Sequence, residues 1–198
     1  MTGVVKERDA GQVNDKIQNG DIELEITNIV ILSRAEALPF DLDADINIDT
    51  LLDYRPLTLR RSRERAIFKV QAAIVDAYRT HMRDHGFTEF QSPALVGGDA
   101  EGGAGVFSLD YFYEKKAYLA TSPQFYKQIL TGVYERAFTI ARVFRAEKHS
   151  TTRHLNEYVS IDAEMGFIKD HTDVMAIETE LLRGICAHLE QTCADEFV

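Results

Sequence analysis

Hydrophobic positions recur at three- and four-residue steps in two long segments of the chain. Residues 62–85 follow this spacing up to Gly86, and residues 170–190 show it again. A repeat close to 3.6 residues places these side chains along one face of an α-helix, and a glycine is a common stop signal. We therefore predict two long amphipathic helices, one before Gly86 and one near the end of the chain.

Polar and apolar residues alternate elsewhere, as is typical of β-strands. Strands are predicted over residues 22–33, 111–120, 137–144 and 154–167, with a short one before Pro93. The strand over 154–167 has a polar face and an apolar face. Its polar face comprises Tyr158, Ser160, Asp162 and Glu164.

Strands outnumber helices in the middle of the chain and do not alternate regularly with them. This pattern favours an α+β fold, an antiparallel sheet with flanking helices. Residues 1–35 resemble a small β module, residues 36–61 are an acidic stretch predicted to be a linker, and residues 62–198 form the main domain. Ser122-Pro123 is a good helix start, because serine caps and proline tolerates the first turn.

Composition and charge narrow the class of protein. The chain is 45% hydrophobic with a net charge of −10, which argues against a general nucleic-acid binder. Basic residues are nonetheless dense in 55–69 and 142–153, so the net charge does not exclude a local basic face. No apolar run approaches the roughly 20 residues that span a membrane, and the first residues lack a signal-peptide core.

The cysteines and histidines predict neither a disulfide nor a metal site. Cys186 and Cys193 would lie two helical turns apart, about 10 Å along the axis, too far for an unstrained bond. A reducing, cytoplasmic compartment is the simplest interpretation. Four histidines are expected on helix surfaces: His81, His85, His171 and His188. The sequence has no metal-ligand spacing, no nucleophilic dyad and no dinucleotide fingerprint.

The segment FRAEKHSTTRHLNEY, residues 144–158, predicts two strands joined by a polar loop. Arg145 and Arg153 would leave its two ends, and arginine suits bidentate phosphate contact. Glu147, on the strand face of Arg145, could accept from an exocyclic amine such as that of adenine. The group favours a nucleoside triphosphate site without a P-loop. A charged hairpin with surface ion pairs explains the same residues equally well.

A second candidate site combines Gln124 and Lys127, one helical turn apart, with Asp162 and Glu164. An amide and an ammonium can recognise a small polar substrate, with a carboxylate holding the lysine. The alternative is an ion pair that only ties helix to sheet. Glu101, in the glycine-rich loop VGGDAEGGAG, is a third candidate. A lone loop carboxylate is more often simply solvated.

These segments resemble the motifs of class II aminoacyl-tRNA synthetases. FRAEKHSTTRHLNEY resembles motif 2, and GFTEFQSP, after its long helix, resembles motif 1. AEGGAGVF, SPQFYKQ and SIDAEMGF resemble the aspartyl members in their archaeal and eukaryotic form. Residues 1–35 resemble the last part of the anticodon-binding β-barrel, an OB-fold. The resemblance implies an aspartate–tRNA ligase, which activates aspartate with ATP and transfers it to tRNA.

The resemblance also implies roles for the candidate residues. Arg145 would contact the α-phosphate and the substrate carboxylate, and Glu147 the adenine amine. Arg153 and His154 would face the outer phosphates, and Glu101 would take the substrate ammonium. Lys127, beside Gln124, would pair with the aspartate side chain and be oriented by Asp162. The remaining ATP contacts would come from Ala146 and Leu155.

Partners and metal follow from the same resemblance. A homodimer through residues 62–93 is implied, together with aspartate, ATP, tRNA and Mg²⁺. No third class II motif is found before Val198, so the Mg²⁺ ligands are expected outside this chain, which we expect to be inactive alone. The alternatives are an asparaginyl-type synthetase and a synthetase-like RNA-binding or dimerisation protein without catalysis.

Overall fold

A computed structural model describes residues 1–41, 44–98, 105–149, 151 and 153–197. The chain divides into two compact units, residues 1–46 and 47–198. In the first unit, strand β1 (Thr2–Glu7) pairs antiparallel with β2 (Ile22–Asn28). Within its described residues this unit contains no closed barrel. The assignment of residues 1–35 to a barrel therefore stays a prediction.

Two short helices open the second unit, where the sequence predicted a linker. Helix α1 (Ile48–Asp53) begins after Asn47, whose side chain accepts a hydrogen bond from the Thr50 amide at 2.8 Å. Helix α2 (Arg55–Thr58) has a proline in its first turn. Capping by Asn47 and proline initiation start helices too short to show a period in the sequence, and the assignment of 36–61 as a linker stays a prediction.

The two long helices form as predicted and share the hydrophobic core. They are α3 (Ser62–Asp84), which ends before a turn where Gly86 has φ of +76°, and α5 (His171–Thr192), capped by Asp170. The core between them and the sheet consists of Ala77, Tyr78, Met82, Phe87, Phe138, Leu181 and Ile185. None of the helices in the described part of the chain is long and apolar enough to cross a membrane.

The central sheet has three strands in the order β3-β7-β8. Strand β3 (Thr88–Glu89) runs parallel to β7 (Arg136–Phe144), which pairs antiparallel with β8 (Glu157–Met165). The predicted strand over 154–167 is thus shorter, but its alternation is confirmed: the Asp162 side of β8 is half-buried while Val159 and Ile161 are exposed. Helices α3 and α5 pack on one side of this sheet, and helix α4 (Gln124–Tyr134) packs on the other side.

A second sheet precedes α4, with the order β4-β6-β5. Its strands are β4 (Leu95–Val96), β5 (Ser108–Tyr111) and β6 (Lys115–Leu119). The single strand predicted over 111–120 is wrong, because the chain turns back between β5 and β6. Tyr113 and Glu114 take φ of +61° and +56° there, without the glycine or asparagine that signals such a turn. The α+β class is confirmed, with antiparallel sheets and flanking helices.

The prediction that His81 and His85 lie on a helix surface is wrong. Both rings are half-buried beside α5 and stack at 4.0 Å between centroids, with His85 Nε2 3.1 Å from Glu180 Oε2. The Nε2 atom of His81 is buried without a hydrogen-bond partner among the described residues. Burial and the adjacent His85 lower the pKa of His81, against the smaller opposing effects of Glu180 and Asp84.

Acidification should therefore weaken the packing of α3 on α5. In the unfolded chain a histidine has a pKa of about 6.5, whereas folding lowers the pKa of His81. The unfolded state therefore binds the proton more tightly, and the free energy of unfolding falls as the pH drops below about 6.5. We expect the melting temperature to fall less between pH 7.5 and 5.5 in His81→Gln than in the wild type. Thermal unfolding at both pH values measures this, and equal falls in the two proteins would contradict it.

Candidate functional site

Lys127 is a buried ammonium held by two carboxylates of the sheet. It lies one turn into α4 and is only 7% exposed. Its Nζ lies 2.9 Å from Asp162 Oδ1 and 3.7 Å from Glu164 Oε2, both on β8. The sequence placed these residues together, and the structure brings them into contact. A buried lysine is tolerated when it is paired and hydrogen-bonded in this way.

The cluster of Lys127, Asp162 and Glu164 ties helix α4 to the sheet, and its charges also indicate what it could bind. An ammonium has three donors, and the two carboxylates contact it at one short and one longer distance. Among the described residues no other acceptor contacts this ammonium, so a donor is left for a third acceptor. Because a carboxylate forms stronger hydrogen bonds with an ammonium than a neutral amide does, the cluster favours an acidic substrate group.

The start of α4 places Gln124 beside this cluster. Ser122 Oγ accepts a hydrogen bond from the Gln124 amide at 3.1 Å, but Pro123 is the N-cap residue, so the helix begins one residue later than predicted. Gln124 is half-buried, one turn before Lys127, so both side chains leave the helix on neighbouring positions of one face. Thr121 and Ser122 are themselves buried, which fixes the entry of the chain into α4.

Arg145 occupies the other end of the same sheet surface. Its amide donates to the Asn156 carbonyl at 3.0 Å, and its Cζ lies 6.0 Å from the ring centre of Tyr158. Tyr158 shares a strand face with Asp162, four residues away, which is about 13 Å along a strand. One sheet surface thus carries an ammonium at one end and a guanidinium at the other, a spacing that suits an amino acid joined to a nucleotide.

The loop after Arg145 differs in part from its prediction. Strand β7 ends at Phe144, so Arg145 directly follows the strand while Glu147 lies in the loop, and the two do not share a strand face as predicted. The loop nonetheless folds back on itself: Glu147 Oε2 lies 3.8 Å from His154 Nε2, and Thr151 Oγ1 lies 2.6 Å from His154 Nδ1. Arg153 and Leu155 are exposed there, as a surface that receives a ligand requires.

The glycine-rich loop is fastened to the segment that carries Arg145. The Ala146 amide donates to the Gly105 carbonyl at 2.7 Å. A Cβ atom at Gly105 would lie 2.4 Å from the Ala146 carbonyl oxygen, so only glycine permits this approach. Glu101, predicted to bind the substrate ammonium, lies outside the described residues. Its role remains a prediction, as do the roles assigned to the other site residues.

Sequence reasoning missed Tyr78 as a neighbour of the site. Its hydroxyl donates to the Asp162 backbone carbonyl at 2.9 Å, across 84 positions of sequence. The helical period marks Tyr78 as a core residue, but a hydroxyl on that face gives no sign of which carbonyl it reaches. Thr139, directly opposite Asp162 on β7, was also missed and is fully buried.

The described part of the chain offers no candidate metal site. Among the described residues, no three His, Cys, Asp or Glu side chains are grouped so as to hold a metal ion. The side chains nearest the candidate site are cationic or already paired, as Lys127 is with Asp162.

The chain is similar to a family of known proteins and to named relatives within it. Residues 47–197 match the family described as tRNA synthetases class II (D, K and N). The chain is 50% identical over 182 residues to the aspartate–tRNA(Asp/Asn) ligase of Deinococcus radiodurans, and 47% identical over 181 residues to that of Thermus thermophilus. These alignments cover 90% and 89% of this chain but 42% and 43% of the relatives.

A solved structure shows the same fold. The asparaginyl-tRNA synthetase of Pyrococcus horikoshii, complexed with asparaginyl-adenylate, is 32% identical and superimposes with a TM-score of 0.82. The match covers 95% of this chain and 42% of that chain. The chain thus spans about two fifths of the length of the proteins it matches.

Proposed function

The chain belongs to the class II tRNA synthetase family of the D, K and N type, and from this premise we propose that it forms the aspartate- and ATP-binding part of an aspartate–tRNA ligase. The observation that carries the proposal is the buried Lys127 ammonium, fixed by Asp162 at 2.9 Å on the sheet surface shared with Arg145. ATP and Mg²⁺ are implied by the family.

At one end of the surface, Lys127 would donate to the side-chain carboxylate of aspartate. Asp162 keeps the ammonium in place, so that little ordering is left for the moment of binding. Gln124 would donate a hydrogen bond to the substrate, or accept one from it, beside Lys127. Glu101 would bind the substrate ammonium. Glu164, at 3.7 Å from Lys127, adds negative charge that the lysine offsets.

At the other end, Arg145 would stabilise the reacting phosphate. The α-carboxylate of aspartate attacks the α-phosphorus of ATP, a phosphorus–oxygen bond forms, and pyrophosphate leaves. Negative charge grows on the non-bridging oxygens, and a fixed guanidinium lowers the energy of that state. Glu147 would accept from the adenine amine. Arg153 and His154 would contact the outer phosphates, and Ala146 and Leu155 would line the nucleotide.

No side chain of this chain needs to form a covalent bond with substrate. Binding both substrates along one rigid surface supplies proximity and orientation, which account for much of the rate in such reactions. The aspartyl group would then pass from the adenylate to the 3′ end of tRNA, with AMP as the leaving group.

The second candidate is an asparaginyl-type synthetase, favoured by the likeness to the Pyrococcus horikoshii enzyme. The two candidates differ in the group recognised by Lys127. A neutral amide gains less from a buried ammonium than a carboxylate does. The relatives at 50% and 47% identity are named as ligases of aspartate.

Exchange of radiolabelled pyrophosphate into ATP tests the proposal on the full-length protein. We expect exchange with aspartate, with a kcat/KM at least about 100-fold above that for asparagine, since losing one charge-assisted contact costs about 3 kcal/mol. Preference for asparagine would establish the second candidate instead. A folded protein without exchange, and without binding of either aminoacyl-adenylate analogue, would contradict both.

We also propose a homodimer through residues 62–93. The first half of α3 leaves Ile67 and Phe68 57% and 50% exposed. In a two-fold interface the same surface of both copies is buried, so each apolar residue contributes from both subunits to the stability of the dimer. We expect Ile67→Glu to weaken dimerisation at least about 100-fold, as loss of a central apolar contact commonly does.

Sedimentation across a concentration series measures the dimerisation. The matched control is Met175→Glu on α5, where the native side chain is similarly exposed, at 53%, but lies outside 62–93. It should leave the dimer intact. A wild-type monomer at micromolar concentration, or equal sensitivity to both substitutions, would show that the dimer uses another surface or does not form.

A further inference from the structure

Tyr78 links the core helix α3 to the residue that holds Lys127. Its side chain is 1% exposed, and its ring meets Phe138 edge to face at 5.5 Å between centroids. Its hydroxyl donates to the Asp162 backbone carbonyl at 2.9 Å. Asp162 is therefore held through its backbone from the α3 side and through its carboxylate by Lys127 from the α4 side.

The position of Asp162 depends on this contact because β8 has a strand neighbour on one side only. Among the described residues β7 alone pairs with β8. A strand with a single ladder can shift or twist more freely than one held on both sides, and Tyr78 supplies a contact from outside the sheet. Burial, with the carboxylates of Asp162 and Glu89 nearby, raises the pKa of Tyr78 far above its ordinary value. The hydroxyl thus stays protonated and remains a donor.

The hydroxyl is not required for packing. Phenylalanine would fill nearly the same volume and keep the edge-to-face contact with Phe138. A tyrosine at a fully buried core position therefore has a role that its ring does not explain. The acceptor it reaches belongs to the residue that orients the buried ammonium.

We propose that Tyr78 is a positioning residue for aspartate specificity. Its hydroxyl fixes the backbone of Asp162, and through the Asp162 carboxylate it fixes the Lys127 ammonium. The inference rests on the proposed function, which assigns Lys127 to the side-chain carboxylate of the substrate. A shift of about 1 Å in a substrate-positioning group is enough to change rates strongly, so a bond outside the site can affect which amino acid is preferred.

Tyr78→Phe tests the role, since it removes one oxygen atom. On the full-length protein we expect the KM for aspartate to rise about threefold to tenfold, the size expected for one buried hydrogen bond. The kcat should change little, and the preference for aspartate over asparagine should fall by the same factor. The matched control is Met82→Leu, a volume-conserving change one turn along α3 in the same core. It should leave the preference at the wild-type value.

A double variant separates this inference from the proposed function. If Tyr78 acts through Lys127, Tyr78→Phe should leave the preference unchanged in a Lys127→Leu background. An equal fall in both backgrounds, or no fall in the wild-type background, would overturn the positioning role. If Lys127→Leu alone leaves the preference unchanged, the proposed function fails and the inference fails with it. Calorimetric binding of non-hydrolysable aspartyl- and asparaginyl-adenylate analogues gives the same ratios where exchange is too slow.

Discussion

Replacing Arg145 by lysine should lower aspartate-dependent ATP–pyrophosphate exchange by a factor on the order of 10² to 10³. That is the usual effect of losing one donor to charge that develops in the transition state. Lysine keeps the charge but not the planar fork that contacts two phosphate oxygens at once. It also loses the position of the guanidinium over Tyr158, whose ring centre lies 6.0 Å from Arg145 Cζ.

The control for this prediction is Arg142→Lys. Arg142 lies three residues earlier on β7, is exposed, and pairs with Glu157 on the strand surface away from Asp162. Surface ion pairs contribute little, so exchange should stay within about twofold of the wild type. Steady-state exchange with ATP varied measures both variants. If Arg145→Lys matched Arg142→Lys, Arg145 would have no part in the reaction.

Lys127→Leu should lower kcat/KM for aspartate by a factor on the order of 10² or more. Truncating one partner of a buried, hydrogen-bonded charge pair commonly costs about 2–5 kcal/mol. The change leaves the carboxylates of Asp162 and Glu164 facing the substrate without their ammonium. They would repel aspartate but not asparagine, so the ratio of the two kcat/KM values should move towards asparagine.

The same substitution on the surface provides the control. Lys116 pairs with Asp110 on the β5–β6 hairpin, where both side chains are exposed. Lys116→Leu should leave the ratio unchanged. Exchange measured separately with aspartate and with asparagine gives the two kcat/KM values and hence their ratio. If Lys127→Leu kept the wild-type ratio of the two kcat/KM values, the lysine would only hold helix and sheet together and would not recognise the substrate.

The sequence alone predicts a helix or strand correctly where its hydrophobic pattern repeats over many residues. The three- and four-residue spacing identified α3 and α5, and strict alternation showed which side of β8 carries Asp162. Short elements were less accessible. The six residues of α1 are fewer than two turns, so their start depends on the Asn47 cap rather than on a period. The turn of the β5–β6 hairpin uses Tyr113 and Glu114 with positive φ, a backbone conformation that residues with side chains seldom adopt.

The candidate site was predictable as a set of residues but not as a geometry. Spacing placed Gln124 and Lys127 on one helix face, and charge suggested a carboxylate partner. The choice of Asp162 at 2.9 Å over Glu164 at 3.7 Å depends on how α4 lies across the sheet, which no local pattern encodes. The Tyr78 contact is less accessible still, because its two partners are separated by 84 residues.

Those long separations have a consequence for how the site is completed during synthesis. Lys127 meets Asp162 across 35 residues, and Tyr78 meets it across 84. Helices α3 and α4 can form from local contacts within microseconds, whereas pairings between distant residues come later because closing the chain costs entropy. A chain growing from its N-terminus therefore carries Lys127 as a hydrated surface cation until β8 is complete. On the proposed function, selectivity for an acidic amino acid would be acquired with that strand, after most of the hydrophobic segments have already been made.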